Sequence, residues 1–450
     1  MLSDSNEVCQ ENLLMRDVDE KIVQQKLSHR YGNPKKEESP LANLVFCEQS
    51  SVMRQAANLH YLKPLQLETF KGPIKLGIEG PGGTGKTLIL LLQIIHLVSS
   101  TEKSQHNVIL MVPSPHNIQC KRFLKRNKVD ARLTDTFPLQ PLGVSDRPVV
   151  RVVDINAFGK YCKDLKFANY TKFDKMVLLR EHLFIDDLQS IFRTNPERKE
   201  TYRYLSKIFD FDDPDTYAWM AFDPVQGDIG LAKQVRKVIQ QQFKVPSISI
   251  FSKILRNTKP IIDVVMADYS FALSAYNYSH AVPISKDGHT VNGPVVDCYV
   301  LTESRDLLIE QQYLKQTLQS IFKEWLDVPT AILYNDLEES YILDLCQPVF
   351  EGMGKTRIDI GTFYEQDNTL HLSQIVFDSS RHAFSFEMPL VICIVKEYFH
   401  RYNLSTRARS KLILIQLDTD NYYIDEMKKF YPNARFILSE STMYDAVPIH

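Results

Sequence analysis

A short glycine-rich segment carries the strongest chemical signal in the sequence. It reads Gly80-Pro81-Gly82-Gly83-Thr84-Gly85-Lys86-Thr87 and matches the pattern G-x-x-x-x-G-K-[ST] in full. Glycines let successive backbone N–H groups approach phosphate oxygens closely, and the lysine adds a mobile positive charge. The segment therefore predicts a phosphate loop, in which Lys86 contacts the β and γ phosphates of a nucleotide and the Thr87 hydroxyl ligates Mg²⁺.

The residues on either side of this loop are those that would position it. Ile74, Leu76 and Ile78 alternate before it, as in a strand, and the apolar run 88–98 after it predicts a buried helix. The N-terminus of that helix adds positive potential beside the loop. Agreement of strand, loop and helix argues against the alternative, which is a glycine-rich turn with an unrelated lysine.

A second group of polar residues follows the apolar run "HLFI" at 182–185. Asp186 and Asp187 come directly after it. A carboxylate at the tip of a strand beside a phosphate loop suits Mg²⁺, so Asp186 is expected to hold the ion, mostly through water. Asp187 is expected to orient the attacking water. The alternative is an acidic N-cap on the following helix.

Further polar residues lie near later apolar segments. Asp223 and Gln226 come after a third strand, Arg256 lies in "ILRNTKPI", Glu387 directly precedes a strand, and Arg407 lies in "YNLSTRARSKLILI". A single arginine is usually a solvated surface charge. Two arginines in one ordered set with a phosphate loop and paired acids instead indicate cations that contact a γ-phosphate.

The positioning elements are short apolar runs, separated by helical stretches, that recur in two series. The pattern is typical of strands buried on both faces of a parallel sheet. It predicts two tandem α/β domains with mainly parallel sheets. A segment rich in turn formers at 277–294 places the boundary near residue 280. We therefore expect a polar leader at 1–45 and domains at 46–279 and 280–450.

Composition narrows the class of protein. The chain has 450 residues, a net charge of −2 and seven scattered cysteines without a C-x-x-C pair. This argues against a disulfide framework and a zinc site. The sequence contains no segment of signal-peptide character and no apolar run long enough to cross a bilayer. We expect an intracellular protein, cytoplasmic or nuclear, that has no membrane partner and is not secreted.

In this order, the motifs resemble those of superfamily 1 helicases of the UvrD/Rep kind, most closely their eukaryotic Schlafen helicase-like relatives. The resemblance covers about residues 46–420. The order of these matches across two domains makes the set specific. The matching segments are 80–87, "VILMVPSPHN" (108–117), "VVDINAFG" (152–159), Asp186-Asp187-Leu188-Gln189, Phe222-Asp223-Pro224-Val225-Gln226, the region of Arg256, Phe384-Ser385-Phe386-Glu387 and "LSTRARSKL" (404–412).

The resemblance implies two RecA-like domains that bind ATP and Mg²⁺ in the cleft between them. Residues 80–87, Asp186 and Gln226 would come from the first domain, with Gln226 sensing the γ-phosphate. Arg256 near its end, and Glu387 and Arg407 from the second domain, would complete the site, with Glu387 on the ribose. Lys86, Asp187, Gln226, Arg256 and Arg407 are thus the expected catalytic set.

The sequence also departs from this family pattern. Asp187 stands where a catalytic glutamate is usual and is one methylene shorter. Leu255 replaces an aromatic residue that commonly stacks on adenine. The third and fifth motifs lack their glycine, and Gln55 is only a weak candidate for the glutamine expected upstream of the loop. These differences keep open a second hypothesis, an ATP-binding switch or scaffold that hydrolyses slowly and acts through protein partners.

The segment "CKRFLKRNK" at 120–128 is a candidate nucleic-acid surface. Its five basic residues could contact phosphates of single-stranded RNA or DNA without reading sequence. The alternative is the solvated face of an ordinary helix. The basic residues are Lys121, Arg122, Lys125, Arg126 and Lys128.

A P-loop kinase or GTPase is a third functional class, and the ordered acids, glutamines and distal arginines argue against it.

Overall fold

The computed structural model of the chain describes most of the region that carries the motifs. The expected leader, Gln55 and Arg256 lie outside the described residues. The residues that the structure describes are 64–99, 107–134, 148–155, 157–158, 181–190, 216–226, 231–241, 243–255, 257–275, 284–285, 292–302, 307–325, 328–335, 337–366, 370–371, 373–380, 382–383, 386–396, 401–419 and 421–438.

The first half of the described chain forms a parallel sheet with helices between its strands. The strands run in the order β3-β4-β2-β5-β6-β1-β7. In chain order the elements are α1 (Pro64–Phe70), β1 (Lys75–Glu79), α2 (Lys86–Ser99), β2 (Val108–Val112), α3 (His116–Arg126), β3 (Ala131–Thr134), β4 (Val150–Asp154), β5 (His182–Ile185), β6 (Ala218–Phe222), α4 (Leu231–Gln241) and β7 (Ile248–Ile250).

The second half repeats this architecture. Its parallel strands run in the order β10-β11-β9-β12-β13-β8-β14. The elements are α5 (Lys259–Ala275), β8 (Asp297–Thr302), α6 (Leu307–Glu324), β9 (Thr330–Asn335), α7 (Glu339–Gly352), β10 (Thr356–Ile358), α8 (Ile360–Glu365), β11 (Gln374–Ser379), β12 (Met388–Val395), α9 (Arg401–Ser405), β13 (Ala408–Thr419), α10 (Asn421–Phe430) and β14 (Arg435–Leu438).

The two parallel sheets confirm the predicted fold class. All eight residues of β12, and all five of both β2 and β6, are buried. Complete burial is what their unbroken apolar runs indicate, because helices cover both faces of a parallel sheet. The apolar run after the loop lies within α2, whose Ile89, Leu90 and Ile94 are inaccessible to solvent.

Three strands were not predicted from the sequence: β3, β10 and β14. Each lies at an outer edge of its sheet, and most of their residues are exposed or half-buried. An edge strand that is covered on fewer sides has no need of a continuous apolar run. The apolar-run signature therefore finds the central strands of both sheets and, of the four border strands, only β7.

The packing of helix α5 indicates where the boundary between the two domains lies. It precedes residue 280, but its buried Ile261, Val265 and Tyr269 belong to a core cluster with second-sheet residues such as Val391 and Leu414. It also packs against α9 and β13. The boundary near residue 280 remains a prediction, and this packing favours placing it earlier, between β7 and α5.

Candidate active site

The predicted phosphate loop connects β1 to α2, as its flanking residues indicate. Gly85 has a φ of 88°, in the left-handed region that favours glycine. A Cβ at this position would also lie 2.6 Å from Nε2 of Gln66, which donates a hydrogen bond of 3.2 Å to the carbonyl oxygen of Thr84. Glycine at this position therefore allows both the turn and the contact of α1 with the loop.

Lys86 is folded over the loop that precedes it. Its Nζ donates hydrogen bonds to the carbonyl oxygens of Gly80 at 2.7 Å and Pro81 at 2.9 Å, and the residue is 7% exposed. These carbonyls hold a positive charge beside the backbone N–H groups of the loop. Phosphate oxygens that entered the loop would meet both kinds of group at once.

The Thr87 hydroxyl and the Asp186 carboxylate lie together, as the sequence predicts. Thr87 Oγ1 donates a hydrogen bond of 2.5 Å to Asp186 Oδ2. Burial, together with the nearby negative charge of Asp187, raises the pKa of Asp186 to about 7. The Thr87 hydroxyl and the Asp186 carboxylate, whose charged form burial destabilises, form an oxygen donor set suited to Mg²⁺.

No cluster of three or more histidine, cysteine or acidic side chains that could hold a metal ion occurs among the described residues. In phosphoryl-transfer sites Mg²⁺ takes one or two protein ligands and completes its shell with phosphate oxygens and water. Thr87 and Asp186 would be those protein ligands.

Asp187 is held by a bridge between two strand ends. Its backbone has a φ of 49°, a conformation that aspartate tolerates better than most residues. Gln189 Nε2 donates to Asp187 Oδ1 at 3.0 Å, and Gln189 Oε1 accepts from the backbone N–H of Asp223 at 3.1 Å. Gln189 thus ties the end of β5 to the end of β6 and fixes the Asp187 carboxylate.

His116, at the start of α3, lies behind this acidic pair. Its Nε2 is 3.9 Å from Asp186 Oδ2 and 3.3 Å from Cys120 Sγ, and its Nδ1 is 3.1 Å from Gln119 Oε1. Burial lowers the pKa of His116, because desolvation outweighs the attraction of Asp187. A mostly neutral imidazole therefore packs against the predicted Mg²⁺ ligand.

The second domain reaches the loop through the segment that contains Arg407. The Tyr402 hydroxyl accepts a hydrogen bond of 2.8 Å from the Gly82 N–H and donates one of 2.8 Å to Asp223 Oδ2. A Cβ on Gly82 would lie 3.3 Å from Thr406 Cβ and from Gln226 Nε2. The absence of a side chain at Gly82 therefore permits this close approach between the domains.

The distal site residues lie near the same cleft. Arg407 is buried, and its Nε donates to the carbonyl oxygen of Asn403 at 2.8 Å. Glu387 and Arg407 both interact electrostatically with His116, which lies beside Asp186. Arg256 is outside the described residues, but the next residue, Asn257, donates hydrogen bonds to the carbonyl oxygens of Thr406 and Ala408 at 3.3 and 2.5 Å.

Four residues with contacts at this site were given no role from the sequence. Gln66, His116, Gln189 and Tyr402 all touch the loop or the acids. His116, Gln189 and Tyr402 lie in or beside matched motifs, so their positions were available as a signal. Gln66 precedes the loop closely and contacts it directly, whereas Gln55 lies outside the described residues, so the glutamine expected upstream of the loop remains a prediction.

The basic side chains in and just after helix α3 lie in two different environments. The Arg122 guanidinium donates hydrogen bonds to the carbonyl oxygens of Tyr364 and Glu365, the second at 3.0 Å. These two carbonyl groups lie at the C-terminal end of α8, where a cation interacts favourably with the helix dipole. Arg122 therefore links the domains, which the sequence did not suggest, whereas Lys125, Arg126 and Lys128 are exposed. A nucleic-acid groove at 121–128 remains a prediction.

Among the described residues, no helix is both long and apolar enough to cross a bilayer.

The fold is similar to that of solved helicases. Dbp5 from S. cerevisiae, bound to RNA and ADP BeF3, is 9% identical and has a TM-score of 0.53, over 92% of this chain and 95% of that chain. The DUF1998 helicase MrfA bound to DNA is 12% identical, with a TM-score of 0.53 over 87% of this chain. The two sheets thus have the fold of two tandem RecA-like domains, as in these helicases.

The match to other helicases is partial. The chain covers 54% of MrfA and 63% of an arterivirus nonstructural protein 10 helicase, which is 12% identical over 81% of this chain with a TM-score of 0.37. No protein-family model and no curated protein matches the chain in sequence. At such low identity the comparisons support the fold, and the superfamily 1 and Schlafen-like assignment remains a prediction.

Proposed function

We propose that the chain is a superfamily 1 helicase-like enzyme that hydrolyses ATP in the cleft between its RecA-like domains and acts on single-stranded nucleic acid. The observation that carries the proposal is the contact between residues 402–407 of the second domain and the phosphate loop of the first. A loop that binds phosphates while touching the other domain can couple nucleotide binding to domain movement.

The first domain would supply the groups that bind the triphosphate. Backbone N–H groups of 80–87 and the Lys86 ammonium would hold the phosphates, and Thr87 and Asp186 would hold Mg²⁺. The bound ion would neutralise charge that develops on the phosphates. The position of the Asp187 carboxylate, fixed by Gln189, suits a residue that orients the attacking water.

The second domain would complete the site. Arg407 lies five residues after Tyr402, which touches the loop, and Asn257 joins the segment after Arg256 to Thr406, directly before Arg407. This arrangement supports both arginines as cations that stabilise charge on the γ-phosphate once the cleft closes. Gln226, packed against Gly82, would sense the same phosphate. Glu387 would contact the ribose.

The comparisons support nucleic acid as the partner. Dbp5 was solved with RNA and a nucleotide analogue, and MrfA with DNA. By analogy of fold, single-stranded RNA or DNA would cross both domains of this chain, and the exposed charges of α3 would contact its phosphates without reading sequence.

A second candidate is an ATP-binding switch that hydrolyses slowly and acts through protein partners. The observation that favours it is the side chain of Asp187, which is one methylene shorter than the usual glutamate and therefore reaches less far toward an attacking water.

ATP turnover with and without single-stranded poly-nucleotides, RNA and DNA in separate arms, at low salt separates the two candidates. The enzyme predicts turnover that a strand stimulates, because both ligands favour the closed cleft. Slow turnover with a rate ratio of one for both polymers would contradict the enzyme and support the switch. Failure of the folded protein to bind any nucleotide would contradict both.

A further inference from the structure

The Tyr402 hydroxyl is the group of the second domain that reaches the phosphate loop most directly. It lies between a backbone donor, Gly82 N–H, and a buried acceptor, Asp223 Oδ2, at 2.8 Å from each. Tyr402 is 3% exposed. A phenol can accept one hydrogen bond and donate another, so both of these partners are satisfied.

The donor that Tyr402 occupies has a second use. N–H groups of a phosphate loop point toward the phosphate oxygens of a bound nucleotide. Gly82 lies inside the loop, three residues before Gly85, and its N–H can serve only one strong acceptor well. The phenol oxygen and a phosphate oxygen therefore compete for this group.

Tyr402 is held from behind, so its hydroxyl cannot leave the loop without a wider shift. Ser405 Oγ donates to Asp268 Oδ2 at 2.8 Å and to the carbonyl oxygen of Tyr402 at 3.3 Å. The Tyr269 ring lies 5.4 Å from the Tyr402 ring, at an interplanar angle of 54°. Both Asp268 and Tyr269 belong to α5, which packs on the second sheet. Displacing the phenol therefore moves α9 together with the elements that hold it.

The hydroxyl keeps its proton in this setting. Burial and the negative charge of Asp223 raise the pKa of Tyr402 well above its ordinary value, while burial raises that of Asp223. The phenol donates its hydrogen bond to Asp223 Oδ2, and removal of the hydroxyl leaves both Gly82 N–H and Asp223 without this partner.

We infer that Tyr402 is a latch on the phosphate loop, which holds the Gly82 N–H and gives it up when the phosphates of a nucleotide enter the loop. Release would free α9 and the Arg407 that follows it. The inference rests on the proposed function and adds to it the residue through which loop occupancy reaches the second domain.

The test compares Tyr402→Phe with Tyr431→Phe. Each removes one buried phenol hydroxyl that is bonded to a buried aspartate, Asp223 or Asp268, but only Tyr402 touches the loop. Affinities for AMP-PNP, ADP and pyrophosphate are measured by calorimetry with Mg²⁺ present. We expect Tyr402→Phe to bind all three roughly three- to tenfold more tightly, because the empty state has lost the competing bond. Tyr431→Phe should bind as the wild type does.

Hydrogen exchange of the wild type gives a second measurement that needs no variant. ADP fills the loop without a γ-phosphate for Arg407, so the 401–407 segment should exchange faster when ADP is bound. Wild-type binding together with equal or weaker affinity in Tyr402→Phe would overturn the latch alone. If Tyr402→Phe does not fold, unchanged or slower exchange of 401–407 on ADP binding would overturn it. Absence of nucleotide binding by folded wild type would overturn the latch and the proposed function together.

Discussion

The Thr87 hydroxyl donates a hydrogen bond of 2.5 Å to Asp186 Oδ2 and so joins the start of α2 to the end of β5. The two residues are 99 positions apart in the chain, and the parallel sheet brings them to one edge. The contact lies where the predicted Mg²⁺ ligands should meet. Its energetic role can therefore be tested separately from that of the loop.

Thr87→Val removes this hydroxyl while keeping the shape of the side chain. We expect Mg²⁺-dependent nucleotide affinity to fall roughly tenfold or more, because the ion loses one ligand and Asp186 loses its hydrogen-bond donor. Thr87→Ser retains the hydroxyl and should stay near the wild type. Calorimetry at several Mg²⁺ concentrations measures both. If the valine variant keeps a normal Mg²⁺ dependence, Thr87 is not a ligand.

Lys86→Ala should remove most nucleotide binding. The loop would lose the cation now held over the carbonyl oxygens of Gly80 and Pro81. We expect affinity for ATP to fall roughly 10- to 100-fold, the value of a charge-assisted hydrogen bond. Lys71→Ala removes an exposed lysine before β1 and serves as the control. A folded Lys86→Ala protein with unchanged affinity would place the phosphates elsewhere.

Asp187 can be tested by length and by charge. Asp187→Glu restores the longer acid and should keep or raise kcat, whereas Asp187→Ala should abolish turnover. Asp187→Asn keeps the shape and tolerates the positive φ of 49°, so its loss of activity would report the charge alone. The three variants are compared with wild type at saturating ATP. Equal kcat in all four proteins would show that Asp187 does not position the water.

The sequence predicted those parts of the site in which the chemistry lies within one short segment. The phosphate loop and the pair Asp186-Asp187 are of this kind, and the structure brings Thr87 and Asp186 together. The contacts of Gln66, His116 and Tyr402 depend on folding, because each reaches its partner from a different element. Side-chain type alone does not indicate such contacts.

The same distinction holds for the fold. Central strands such as β12 could be predicted because burial on both faces requires an apolar residue at nearly every position. The boundary depends instead on the surface that α5 covers. Its residues Ile261 and Val265 would suit either domain by composition, and only the packing assigns them to the second core.

Asp268 gives a prediction of pH dependence. This residue of α5 is buried, and burial raises its pKa to about 6 from an ordinary 3.8. The folded state therefore binds a proton that the unfolded state releases between these values. Stability from this group is fully present below about pH 4 and is lost as pH rises through about 6. The charged and titratable groups around it are Arg401, Tyr431, Cys298 and Cys393.

Asp268→Asn should remove this contribution to the pH dependence. Between pH 4 and pH 7 the wild type is expected to lose about 2 kcal/mol more of its free energy of unfolding than the variant does. Urea unfolding is followed by fluorescence of Trp325, which lies in the second core, in a Trp219→Phe background that removes the other tryptophan. Parallel pH profiles for the two proteins would contradict the role of Asp268.

The last prediction separates the two surroundings of the basic helix α3. Lys125 and Arg126 are exposed, whereas Arg122 is bonded to the carbonyl oxygens that close α8. Charge reversal at Lys125 and Arg126 should weaken binding of single-stranded RNA or DNA. It should also reduce the slope of log affinity against log salt by about 0.7 for each lost phosphate contact. ATP turnover without a strand should persist, because both residues lie outside the phosphate site.

Arg122→Ala should act differently, through the contact between the domains. Strand affinity and its salt slope should change little, while stimulation of turnover by a strand should fall, because the closed cleft loses an interdomain bond. Filter binding at several salt concentrations and paired ATPase assays distinguish the two variants. If the double charge reversal leaves the salt slope unchanged, this face of α3 does not bind the strand. If Arg122→Ala reduces the slope as much as the charge reversal does, the arginine leaves α8 to contact phosphate.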